Sequence, residues 1–144
     1  MRMILILVEV IMQPSKQFRK RNAILACLHG TTEHPSAEWI FNRLKPEYPD
    51  LSLGTVYRNL ALFKQQGLVA SLGTVDGVER FDGNTAPHVH FVCSGCGRVD
   101  DLHQVQVPQS LLSFAEECTG GQAEGYRLSI YGRCSACTAE HNEF

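Results

Sequence analysis

At 144 residues, 44% of them apolar, the chain has material for one ordinary domain or two small ones, each with a limited core. Its formal charge of −2 conceals a polarity: residues 1–73 carry nine Lys and Arg against five Asp and Glu, whereas residues 74–144 carry four against ten. A polyanion partner is therefore excluded for the second half on charge, and only the first half suits one.

The apolar run from Met3 to Met12 is interrupted by Glu9 and falls short of the roughly 20 residues that cross a bilayer, so no membrane span is expected. No small-x-small cleavage pattern follows it before Pro14, which argues against a secretory signal. Residues 1–12 read either as an extra surface strand or as an extension ahead of a true start at Met12.

From Ser15 to Leu28, Phe18, Ala23, Ile24, Cys27 and Leu28 recur at helical spacing between Lys16, Arg19, Lys20 and Arg21, which predicts a first helix. Ser36 is the N-cap of a second, with Glu38 in its first turn, Trp39, Ile40 and Leu44 as its buried stripe and Pro46 as its stop. Ser52 caps a third, with Val56, Leu60 and Phe63 on one face and Gly67 just past its end near Gln66. Leu68–Thr74 and Val78–Phe81 flank Val75-Asp76-Gly77, a hairpin signal. Three helices and a hairpin make a winged helix.

Residues 83–87, Gly-Asn-Thr-Ala-Pro, are turn-forming and predict a hinge. Beyond it, His90–Cys93, Arg98–Leu102 and Tyr126–Tyr131 read as strands and Pro108–Cys118 as a helix. The expected fold is α+β: an N-terminal winged-helix domain over 1–83 and a small α/β domain over 84–144. A unit of about 60 residues is poorly supplied with core and needs a staple.

The cysteines supply one. Cys93-Ser94-Gly95-Cys96 and Cys134-Ser135-Ala136-Cys137 are two CxxC knuckles, and this spacing lets two thiolates from one turn reach the same tetrahedral zinc ion. Four protein ligands leave no position for water or substrate, so the ion is structural. Free or disulfide-bonded thiols are the plainer alternative, and would leave the small domain unstapled. Metal-binding thiols imply a reducing, cytoplasmic setting. Cys27 and Cys118 lie in apolar helical patterns and read as small buried hydrophobes.

A second set is harder in its chemistry. His88 and His90, two apart on a predicted strand, share a face; Asp82 precedes the hinge, Asp101 ends the next strand and His34 precedes the second helix. Imidazoles and carboxylates together suit Fe(II), Mn(II) or a similar divalent ion. Spacing alone leaves this site level with the alternative of ordinary polar residues. His29 and His141 have no converging partner in the sequence, and His103 fits either the surface or a secondary metal site.

The runs His34-Pro35-Ser36-Ala37-Glu38, Gly54-Thr55-Val56-Tyr57-Arg58-Asn59-Leu60, Arg80-Phe81-Asp82-Gly83-Asn84 and Pro87-His88-Val89-His90-Phe91-Val92-Cys93 together resemble the ferric uptake regulator superfamily over residues 13–140. Within it the chain most resembles the peroxide-sensing branch. His34, Asp82, His88, His90 and Asp101 fall on that branch's regulatory metal ligands, and Asp101 stands where iron-uptake regulators have a longer Glu. The resemblance implies a homodimer joined through the C-terminal domain. It also implies a repressor of palindromic, AT-rich double-stranded DNA, active with Fe(II) or Mn(II) and released when iron-catalysed oxidation damages a histidine ligand. By the same resemblance Tyr57, Arg58 and Asn59 of the third helix face the major groove, with Arg58 open also to a phosphate role, and Lys16 reaches the minor groove or stays solvated. One departure is Phe18-Arg19-Lys20-Arg21, where the family has a Thr-Pro-Gln-Arg-like run. An iron- or manganese-uptake regulator is the alternative within the family. A non-heme oxygenase and a protein-binding zinc ribbon are the rivals outside it; the expectation is a sensor and no enzyme.

Overall fold

The structure is a computed structural model that describes residues 14–141. The extension at 1–12 lies outside the described residues. The first helix, α1, spans Lys16–His29, and the Ser15 side chain accepts from Phe18 N at its start. The same device opens α2 (Ala37–Leu44), where Ser36 accepts from Trp39 N, and α3 (Leu53–Gln65), where Ser52 accepts from Thr55 N. Each cap satisfies a backbone N–H that the helix itself leaves free. Past α3, Gly67 turns the chain away at φ 71°, a conformation that costs glycine nothing. Ile24, Leu28, Ile40, Val56, Leu60 and Phe63, all buried, fill the centre of the three helices.

The hairpin follows as β1 (Ala70–Val75) and β2 (Val78–Asp82), antiparallel, with Val75 opposite Val78. The turn is two residues, Asp76 and Gly77, at φ 51° and 79°, as a type I′ connection requires. Val75, expected in the loop, is the last residue of the strand. A bulge between Ser71 and Gly73 bends β1.

The second sheet has three strands. Its centre, β3 (Val89–Cys93), runs antiparallel to β4 (Val99–Leu102) and parallel to β5 (Leu128–Gly132). A parallel neighbour demands a crossover, which α4 (Gln109–Thr119) provides before Gly120 ends it at φ 67°. A fifth helix, α5 (Ser135–His141), was not expected from the sequence. His88 is also displaced from its expected place, lying one residue ahead of β3. Val75 of the wing packs with Val92 and Val99 of the second sheet, so the wing is docked on that sheet.

Cys118 corrects an expectation: α4 has no buried residue, and Cys118 is exposed. The apolar pattern of α4 instead places Leu111 and Phe114 outward at 55% and 63% exposure. Cys27 is half-buried, and burial raises its thiol pKa. No described helix is long and apolar enough to cross a membrane.

Candidate metal centres and nucleic-acid face

β3 delivers Cys93 into a tight turn closed by Gly97 N bonding to Cys93 O at 2.9 Å, with Gly97 at φ 74°. Cys134 and Cys137 arrive from the start of α5, and the four sulfurs lie within 4.8 Å of one another. Gly95 is required here, because a Cβ on it would fall 2.8 Å from the Cys137 sulfur. The Cys96 and Cys134 sulfurs are 3.9 Å apart. A tetrahedron of thiolates at about 2.3 Å from one ion has edges of about 3.8 Å, so the spacing fits zinc. The electrostatics agree. Backbone N–H groups of Cys134 and Cys96 pull the Cys93 thiol down to about 6, while the neighbouring Cys134, Cys93 and Cys96 sulfurs push Cys137 up to about 12. Four thiolates at this distance repel one another unless a cation sits among them.

The second cluster gathers residues from five places in the chain. His34 comes from the loop ahead of α2, Asp82 from the end of β2, His88 from the hinge, His90 from β3 and Asp101 from β4. His90 stands opposite Asp101 in the β3–β4 ladder. His34 Nε2 is 2.8 Å from Asp101 Oδ1 and 3.5 Å from Asp82 Oδ2. His88 Nε2 is 3.0 Å from Asp82 Oδ2 and 3.1 Å from Asp101 Oδ1, and His90 Nε2 is 2.9 Å from the former and 3.2 Å from the latter. Six ligands at about 2.1 Å from one ion stand about 3.0 Å apart along the octahedral edges, so the cluster has the dimensions of one divalent coordination sphere.

His34, Asp82 and His90 are buried. Burial disfavours charge on Asp82, but bonds from His34, His90 and the Asn84 backbone outweigh it and hold the carboxyl well below the usual range. Burial likewise opposes protonation of His34, and Asp82 and Asp101 overcome it, raising the imidazole. His88 is raised against burial by the Ala86 carbonyl and the same two carboxylates. His88 Nδ1 bonds to Ala86 O at 2.7 Å, which fixes its ring with Nε2 toward the cluster. His34 Nδ1, by contrast, is buried with no partner among the described residues.

Arg80, unassigned in the sequence beyond its place in the Arg80-Phe81-Asp82 run, proves central. From β2 its Nε donates to His34 O, its Nη2 to Glu33 O at 2.7 Å and its Nη1 to Gly97 O at 3.1 Å. His103 is 65% exposed; its ring stacks 5.8 Å from His88, and its Nε2 lies 3.8 Å from Asp101 Oδ2.

On α3, Tyr57 and Arg58 are exposed. Tyr57 donates to Glu38 Oε1 at 2.5 Å, and Arg58 Nη2 to Thr55 Oγ1 at 3.0 Å. Asn59 is half-buried, donating to Thr55 O and accepting from Arg21 Nε. Lys16 is exposed in the first turn of α1.

The sequence model of the ferric uptake regulator family matches residues 14–131. A peroxide-responsive repressor, PerR, of Staphylococcus epidermidis is 37% identical over 123 residues, covering 85% of this chain and 81% of the relative. The peroxide operon regulator of Bacillus subtilis is also 37% identical, covering 85% and 84%. In three dimensions the chain is similar to the Campylobacter jejuni peroxide stress regulator, with a TM-score of 0.72 and 27% identity over 93% of this chain and 97% of that one. Curated relatives and solved structures thus agree with the family match over most of the chain, and the protein belongs to the ferric uptake regulator family.

Proposed function

We propose that this protein is a metal-dependent transcriptional repressor that senses peroxide. The observation that carries the proposal is the origin of the second cluster. His34 and Asp82 belong to the winged-helix part, and His88, His90 and Asp101 to the part beyond residue 83. One ion held by all five ties the two parts together. Two winged helices free to swing bind two half-sites poorly, and fixing them raises the population competent for DNA. In this reading 1–83 is the DNA-binding domain and 84–144 the dimerisation domain.

The four cysteines hold structural Zn(II), and His34, Asp82, His88, His90 and Asp101 hold Fe(II) or Mn(II). Fe(II) held by these five ligands would supply the electron that reduces a small oxidant such as peroxide, and the oxidising equivalent so produced would add oxygen to an adjacent imidazole, that of His34 or His88. Loss of either ring unties the two domains and frees the operator. Tyr57 and Arg58 contact the major groove from α3, with Asn59 beside them, and Lys16 contacts the minor groove. Exposed Leu111 and Phe114 on α4 and exposed Tyr131 on β5 support a homodimer through the part of the chain beyond residue 83. The relatives being transcriptional regulators, no turnover is assigned.

The test is peroxide treatment of the iron-loaded protein. A gain of 16 mass units on peptides containing His34 or His88, with loss of binding to AT-rich palindromic DNA, is expected. Unmodified peptides and persistent DNA binding would reject peroxide sensing and leave metal level as the signal.

A further inference from the structure

The His34 ring has no outer partner among the described residues, whereas its backbone carbonyl is held from β2. The ring thus lacks the outer hydrogen bond that His88 has through Ala86. The His34 backbone sits at φ 51°, in the left-handed region that L-residues with a Cβ seldom enter. Something must hold it there. Three successive carbonyls of this loop are collected by β2: Glu33 O and His34 O by the Arg80 guanidinium, and Pro35 O by Phe81 N at 3.0 Å.

The third bond of Arg80 leads elsewhere. Gly97 O, its acceptor, belongs to the turn that closes the cysteine knuckle between Cys93 and Arg98. Beside it, the Asp76 carboxylate of the wing packs so closely on Gly97 that a Cβ there would lie 2.9 Å from Oδ2. Gly97 is itself buried, and Arg80 is half-buried. A guanidinium offers five donors in a rigid plane, so three bonds in three directions fix the relative positions of their acceptors. A lysine at the same place is a point donor and cannot span them.

We propose that Arg80 is a positioning residue that clamps the His34 loop to the cysteine knuckle, so that order in the thiolate centre is transmitted to the regulatory metal site through the wing. This rests on His34 being a ligand of the regulatory metal. Among the described residues Arg80 makes no hydrogen bond or ion pair to a ligand side chain; it acts on the carbonyl of one ligand and on the turn that holds another set. The wing therefore carries the coupling between the two centres.

The experiment uses the zinc-loaded, full-length dimer with Mn(II) as the probe. Removing an outer partner of a ligand costs roughly 10–100-fold in metal affinity, so Arg80→Gln should weaken Mn(II) binding by about that factor, with Arg80→Lys restoring only part. Because Arg80 acts through His34, the double variant Arg80→Gln/His34→Leu should bind Mn(II) no more weakly than His34→Leu alone. A residue that merely supported folding would give additive losses. Hydrogen exchange should quicken in Arg80→Gln at residues 33–35 and 95–98 together, and not in α3. Mn(II) affinity of Arg80→Gln within twofold of the unaltered chain, additive losses, or exchange quickening on one side only would each overturn the clamp. If His34→Leu itself keeps full Mn(II) affinity, the ligand assignment fails instead, and the two failures are thereby distinguished.

Discussion

His34 Nε2 and Asp101 Oδ1 lie 2.8 Å apart across 67 residues of sequence, one on the winged helix and one on the second sheet. No other element is needed to see why an ion between them acts as a fastener. His34→Leu is expected to abolish Mn(II)-dependent DNA binding and weaken Mn(II) by on the order of 100-fold or more, since losing a ligand should cost at least as much as the roughly 10–100-fold for losing a ligand's outer partner. Zinc content should stay at one per chain. Titration calorimetry with metal analysis of the same sample separates the two, and unchanged Mn(II) binding would remove His34 from the site.

The three helices and the wing were legible in the sequence because their signals are local: Ser15, Ser36 and Ser52 bond to backbone N–H groups three residues on, and Asp76-Gly77 fixes its own turn. The five members of the His/Asp cluster were legible through family resemblance far more than through spacing. Only the pair His88 and His90 shows a pattern by itself. Arg80 carried no role in the sequence, because its acceptors are backbone carbonyls, which any residue supplies. Cys118 was misread because the apolar stripe of α4 was assigned to this chain's core, whereas the structure turns it to solvent.

The His/Asp cluster makes stability depend on pH in a stated direction. Against burial, the two carboxylates raise His34, and the Ala86 carbonyl together with those carboxylates raises His88, above the ordinary 6.5, while Asp82, ordinarily 3.8, is depressed. A raised imidazole gives stability that is complete below its unfolded value and is lost as pH rises through the folded one. A depressed carboxyl gives stability that is present above its unfolded value and lost as pH falls through the folded one. The zinc-loaded protein without Mn(II) should therefore be most stable between about pH 4 and 6.5 and decline toward pH 8. Mn(II) displaces those protons, so its affinity should climb over the same interval. Melting curves at pH 6, 7 and 8 with and without Mn(II) decide it; a Tm of the zinc-loaded protein without Mn(II) that rises from pH 6 to 8 contradicts the account.

Chelation should divide the two centres. The thiolate centre is closed by four sulfurs and ordered by Gly95 and Gly97, while the His/Asp centre lies partly open beside exposed His103. Brief treatment with a chelator is expected to strip Mn(II) and leave one zinc per chain. Cys96→Ser should lose that zinc and unsettle β3 and β4, which the knuckle joins. With a structural metal contributing several kcal/mol and about 4–8 °C per kcal/mol for a small domain, Tm should fall by 10 °C or more. Retention of both zinc and Tm in this variant would show that the four sulfurs hold no ion.

The single chain leaves large apolar side chains bare beyond residue 83. β5 is an edge of its sheet, and Tyr131 on it is 67% exposed, near the level of Phe114 on α4 at 63%. An open edge presents unpaired backbone N–H and C=O groups to another strand, and large exposed apolar side chains mark interaction surfaces. In a twofold dimer each residue is buried twice, once per copy. At roughly 1.5–3 kcal/mol for burying a large apolar side chain, Phe114→Glu should cost about 3–6 kcal/mol, a 100-fold to 10⁴-fold weaker dimer. Phe114 lies on the helix of the crossover and touches neither metal centre, so zinc content and Mn(II) binding should be retained in the monomer. Sedimentation at micromolar concentration should show monomers, and affinity for a palindromic operator should fall because two half-sites are then met by separate molecules. A variant that stays dimeric would move the interface away from α4, and a monomer that binds the palindrome as tightly as before would sever dimerisation from DNA recognition.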